Sequence, residues 1–132
     1  LLDLVIGVSV PRSAALAKAN VASPSPIPVR ALIDTGASCT CVDPGVLKGL
    51  GLTPTGTTTM LTPSTGLTPH VCHQYDVSIT LLAQSFIRRF DTIPVMETHL
   101  SNQGIQALIG RDILAMCLLV YDGQAGIFSL AF

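Results

Sequence analysis

The sequence predicts a mainly β chain with one or two short helices, and three observations carry that expectation. Apolar runs rich in Val and Ile recur at strand length, over residues 1–10, 29–33, 71–82, 86–95 and 105–109. Clusters of Gly, Pro, Ser and Thr separate them. Helical signals are brief: Asp43-Pro44 reads as an N-cap followed by Pro in the first turn, with Gly49 and Gly51 as the stop, and residues 110–116 have apolar side chains at helical spacing.

In chain order, Pro11 is expected to close the first strand. Residues 12–28, with Pro24, Pro26 and Pro28 at alternate positions, read as an extended surface loop. The run Val29-Arg30-Ala31-Leu32-Ile33 reads as a fully buried strand that delivers the chain into the turn Asp34-Thr35-Gly36-Ala37-Ser38, after which residues 39–42 form a short strand. Residues 53–61 and 71–82, joined through Pro63-Ser64-Thr65-Gly66, suggest a long hairpin. Residues 101–104 read as a loop, and 118–121 with 126–132, around Asp122-Gly123-Gln124, as a closing hairpin.

The 132 residues match one domain, 1–132, which at this length buries roughly two-thirds of the surface of its unfolded chain. Hydrophobic residues make up 48% and charged residues 11%, so the charged coat is sparse enough to leave an apolar surface for a partner. Seven basic and eight acidic residues nearly cancel, and the longest basic run is Arg88-Arg89, which argues against nucleic-acid binding. No uninterrupted apolar run reaches the length of about 18 residues that a spanning helix needs. A first residue of Leu1 rather than Met fits a segment trimmed from a longer precursor, so a targeting signal would lie out of sight; the cytoplasm is slightly favoured.

Asp34 is the informative residue. A carboxylate at the end of an apolar strand is costly unless it is hydrogen-bonded or used, and Gly36 lets nearby amides turn toward it. An Asp that satisfies its own turn is the plain alternative. Five potential metal ligands, Cys39, Cys41, His70, Cys72 and His73, match no common zinc spacing, so no metal or other cofactor is expected; the cysteines read as buried thiols and the histidines as surface residues.

The segment Ala31-Leu32-Ile33-Asp34-Thr35-Gly36-Ala37-Ser38 resembles the active-site segment of retropepsin-like aspartic proteases. Ala107-Leu108-Ile109-Gly110-Arg111-Asp112-Ile113-Leu114 resembles that family's second hallmark, in the family's order. His73-Gln74-Tyr75-Asp76 is similar to a returning flap strand, and the resemblance runs from about Ile27 to the C-terminus. It implies an acid-protease half-barrel, one lobe per chain, and a homodimer that cuts polypeptides with two Asp34 carboxylates, one from each copy. Thr35 and Gly36 would support the active-site loop. Gly36, Ala37 and Ser38 would form the cleft floor, and Thr62, Pro63, Ser64, Thr65 and Gly66 the flap. Gln106, Leu108 and Ile109 would line pockets for apolar residues, although Leu108 and Ile109 read equally as core. Arg111 and Asp112 would be structural.

Two departures stand out. Retroviral members usually carry an Asp where this chain has Ser38, and that Asp pairs with the Arg of the second hallmark; Arg111 must therefore find another carboxylate or main-chain carbonyls. Residues 117–132 look like the hairpin of cellular relatives such as the DNA-damage-inducible proteases, a natural dimer interface. The rival function is a non-catalytic peptide-binding or dimerisation module with the same fold.

Overall fold

The computed structural model describes residues 1–60, 70–83 and 87–131, with the side chains of Met60 and His70 left aside. The fold is mainly β, as the sequence predicts. Strand β1 (Leu2–Val8) pairs antiparallel with β2 (Ile27–Ile33) on one side and with β5 (His70–Leu82) on the other. Beyond β2 come β7 (Ala107–Ile109), β3 (Cys41–Val42) and β6 (Ile87–Glu97), and β6 returns to β5. The order β1-β2-β7-β3-β6-β5 therefore closes on β1 as a barrel, while β4 (Gly56–Met60) extends outward from β5. Between β5 and β6 the register shifts: Val77 pairs with Ile93 but Ile79 with Phe90, so Asp91 and Thr92 oppose Ser78 alone. Such a bulge increases twist and curvature, which closure requires.

The barrel interior is dry and aliphatic. Leu4, Ile6, Val77, Ile79, Val95 and Ile109 are fully buried, and Leu47 and Leu50 close one end from α2 (Pro44–Gly49). At about 1.5–3 kcal/mol for each large aliphatic side chain removed from water, this core is what holds the barrel together.

Residues 12–28 are not the extended loop that their prolines suggest. Helix α1 (Val10–Lys18) occupies their first part, and β2 already begins at Ile27. The Ser9 side chain caps α1 by accepting from the Arg12 amide at 3.3 Å, Pro11 sits in its first turn, and Asn20 follows in the left-handed conformation with φ 57°. The helix buries none of its residues, so it carries no apolar stripe for a periodicity reading to find; its caps were the available signal. The strand before Asp34 also differs from expectation, since β2 alternates, with Val29 and Ala31 buried and Arg30 and Leu32 exposed.

Asp43 joins distant segments. It caps α2 by accepting from the Gly45 amide at 3.0 Å, and its other oxygen accepts from the amides of Leu100 and Ser101 at 2.8 and 2.9 Å. Those two amides lead into a 3-10 turn, Ser101–Gln103. The remaining pieces are α3 (Arg111–Leu114) and the strands β8 (Leu118–Asp122) and β9 (Ile127–Ala131), which form a separate two-stranded sheet. Leu119, Phe128 and Leu130 turn from that sheet onto the barrel core. Among the described residues, no helix is long and apolar enough to cross a membrane.

Burial of Asp43 by itself favours the neutral acid, but the amides of Leu100, Gly45 and Ser101, with His99 nearby, outweigh it and hold the carboxyl below its ordinary value of 3.8. A folded-state value below the unfolded one gives stabilisation that is complete above about pH 4 and is lost as pH falls through the folded value. Asp43→Ala should lower unfolding free energy by about 2–3 kcal/mol at neutral pH. The difference from the parent should shrink on acidification, which urea denaturation at a series of pH values reads directly.

Candidate active site

Asp34 stands at the exit of β2, on a loop whose two ends are held by one strand. β7 pairs parallel with β2, placing Leu32 beside Leu108 and Ile33 beside Ile109, and antiparallel with β3, placing Cys41 beside Leu108. It thus threads between the strands on either side of residues 34–40. The Asp34 amide continues the ladder by donating to the Ile109 carbonyl at 3.0 Å. The Asp34 carboxylate accepts from the Gly36 amide at 2.9 Å, and the Ala37 amide donates to the Asp34 carbonyl at 3.2 Å, so the turn folds back on its own acid. A Cβ on Gly36 would lie 3.1 Å from that carboxylate oxygen, close enough to push it aside. Asp34 is half-buried, and Thr35, Gly36 and Ser38 are exposed.

The second hallmark braces the loop from behind. Arg111 donates through its amide to the Ala37 carbonyl at 2.8 Å and through Nη1 to the Thr35 carbonyl at 2.9 Å. For the side chain, the Thr35 carbonyl therefore takes the place of the carboxylate that Ser38 does not supply. Asp112 accepts from the Thr40 amide at 2.9 Å and the Thr40 hydroxyl at 2.7 Å, and also from the Ile113 amide at 2.8 Å. The Thr40 hydroxyl accepts in turn from the Gly110 amide at 3.2 Å. Gly110 packs so tightly that a Cβ there would meet the Cys39 carbonyl oxygen at 2.4 Å.

Thr40 and Gly110 were not singled out from sequence. Gly110 stood inside the second hallmark, whereas nothing local distinguishes Thr40, whose role comes from partners 70 and 72 residues away. The expected pocket residues divide. Ile109 is fully buried within the barrel core, and Leu108 is half-buried on the outward side. Gln106 is exposed, with its side-chain oxygen accepting from the Arg30 amide at 2.9 Å. Leu32, also unforeseen, is 42% exposed beside Leu108. The flap positions Thr62, Pro63, Ser64, Thr65 and Gly66 lie outside the described residues; β4 and β5, which flank them, pair from Gly56 opposite Gln74 to Met60 opposite His70. His73 is exposed, and all four cysteines are in the reduced form.

Removing the hydroxyl at the centre of the brace, as in Thr40→Val, should cost about 1–3 kcal/mol of stability because it leaves the Gly110 amide unpartnered. Gly110→Ala, which forces backbone against backbone, should cost about 3 kcal/mol or more. Thermal or chemical denaturation orders the two variants.

The family model for aspartyl protease matches residues 17–113, a span that includes both the Asp34 loop and the Gly110-Arg111-Asp112 brace. No curated protein matches the chain. On this match, well over half its length, the chain belongs to the retropepsin-like aspartyl protease family.

Proposed function

We propose that residues 1–132 form one half of a homodimeric aspartic endopeptidase, with Asp34 of each copy supplying one of two catalytic carboxylates. Family membership supports a protease-type function. The single observation that carries the finer reading is the contrast between the acids of the two hallmark segments. Asp112 has its carboxylate occupied by Thr40 and the Ile113 amide, whereas Asp34 is presented on an exposed loop that holds it through one amide. One such carboxylate cannot both take a proton from water and give one to a carbonyl oxygen in the same step.

Two copies related by a two-fold axis remove that difficulty. The pair shares one proton: the ionised member takes a proton from the water it holds, and the protonated member donates to the scissile carbonyl oxygen as the water adds. The tetrahedral intermediate then collapses with proton transfer to the leaving amine, and no covalent enzyme intermediate forms. Thr35 would hydrogen-bond across the axis. The main chain of Gly36, Ala37 and Ser38 would bind an extended peptide, and residues 62–66 would close over it. Leu32 and Leu108 would give the pockets beside the cut their preference for bulky apolar residues, with Gln106 at their margin.

The closing hairpin supports the dimer. Leu118, Val120, Ile127 and Ala131 share the face turned away from the core, since Leu118 pairs with Ala131 and Asp122 with Ile127. Leu118 is 64% and Ile127 59% exposed in the single chain. An apolar face at this position is suited to a matching face on a second copy.

Asp34→Asn should lower kcat/KM for an apolar peptide substrate by at least about 10³-fold while leaving the dimer intact, and a pepstatin-type inhibitor should raise the Tm of the parent protein more than that of the variant. A variant that cleaves at the parental rate would overturn the catalytic assignment. Truncation after Asp122 should yield an inactive monomer by sedimentation velocity; a stable, active dimer would remove the hairpin from the interface.

A further inference from the structure

Behind the cleft floor lies a pair of thiols to which the proposed peptidase reaction assigns no role. The backbone bends at Ser38 and Cys39, then enters β3 at Cys41. Cys39 is half-buried, Cys41 is buried, and both belong to one small apolar cluster with Met96, Leu100, Ile105 and Leu108. The Cys41 Sγ approaches the Cys39 carbonyl oxygen at 3.8 Å, so the side chain of Cys41 reaches back toward its neighbour. Thr40 stands between the two, and its amide and hydroxyl form the brace to Asp112 and Gly110.

We propose that Cys39 and Cys41 are a reversible redox pair, and that closing a disulfide between them releases Thr40 from Asp112 and loosens the floor of the cleft. Hydrogen peroxide is the oxidant. Its outer oxygen is taken up by the Cys39 sulfur, giving a sulfenic acid as the O–O bond breaks and hydroxide leaves to become water. The Cys41 sulfur then attacks the Cys39 sulfur; the S–S bond forms, the S–O bond breaks, and the departing hydroxide takes the Cys41 proton as a second water. Two thiols are oxidised and one peroxide is reduced. Cys39 is the better-placed first reactant because it is the more accessible of the two. Burial pushes the Cys41 thiol up to about 11, which leaves it little thiolate with which to meet peroxide first; in the second step its closeness to Cys39 offsets that disadvantage.

The consequence for Thr40 follows from geometry. A disulfide bridges Cα atoms about 4.4–6.8 Å apart, and residues 39–41 run from a bend into the start of β3, with Thr40 held on both sides of its own peptide. Closing so small a ring constrains the backbone on both sides of Thr40, and the Cys39 backbone is already packed against Gly110, where an added Cβ would meet its carbonyl oxygen at 2.4 Å. Ring closure and the pair of bonds from Thr40 to Asp112 therefore compete.

The inference concerns the brace and is tested apart from peptide cleavage. The purified chain is treated with hydrogen peroxide and then digested without reduction, and amide hydrogen exchange is followed at Thr40 and Gly110. The expected result is a loss of about 2 Da in the peptide containing Cys39 and Cys41, with exchange at both amides at least about 10-fold faster, and both effects reversed by dithiothreitol. Cys39→Ser and Cys41→Ser should each show neither effect. A gain of about 16 Da on Met96 or on one cysteine without a bridge would overturn the proposal, as would a bridge that leaves exchange unchanged. Cleavage by the reduced protein is a separate assay: its absence would count against the proposed peptidase, whereas the mass and exchange results decide the thiol pair alone.

Discussion

A loop that leaves a sheet takes its peptide groups away from strand partners, and those groups must find others before the loop can hold a side chain in a fixed place. In this chain the partners come from the segment that follows β7. Arg111 takes the carbonyls of Thr35 and Ala37, Asp112 takes the amide and hydroxyl of Thr40, and Gly110 donates back to Thr40 while packing against Cys39. Because β7 is itself held between β2 and β3, the brace is fixed to the barrel. The position of Asp34 thus depends on contacts made far along the chain.

That arrangement also gives Arg111 partners in a chain that carries Ser rather than Asp at position 38. An ion pair near a surface contributes little beyond about 1 kcal/mol, and a guanidinium bond to one loop carbonyl together with a backbone-amide bond to another can hold the loop comparably. Arg111 holds the loop by main-chain acceptors alone, one through its side chain and one through its own amide. The carboxylate of Asp112 does the complementary work on the other limb. Arg111 thus holds the turn at Thr35 and Ala37, and Asp112 holds its far end at Thr40, while Thr35 and Gly36 stay exposed.

Much of this was legible in the sequence, and the exceptions have physical causes. Strands showed because their Val and Ile runs are core-facing and bounded by turn residues; α2 showed because Asp43 and Pro44 announce it. Helix α1 was missed because it buries nothing, and the alternate prolines that followed it dominated the reading of residues 12–28. β2 was read as buried on both faces because Leu32 is apolar, yet Leu32 is exposed. The Asp34 and Gly110-Arg111-Asp112 segments were recognisable as local patterns. Thr40 was not, since its importance lies in which distant groups it meets. No single-chain pattern marks a contact that topology creates.

On the proposed function, one carboxylate per chain suffices only because a second copy brings the other. It is tested most directly by mixing parent and Asp34→Asn chains, allowing subunits to exchange, and measuring peptide hydrolysis against the fraction of parent. If each cleft needs both copies of Asp34, an equal mixture at constant total protein retains about a quarter of the parental activity, because random pairing leaves about one dimer in four with two intact acids. Activity that falls in direct proportion, to about half in the same mixture, would mean that each chain works alone and would contradict the account.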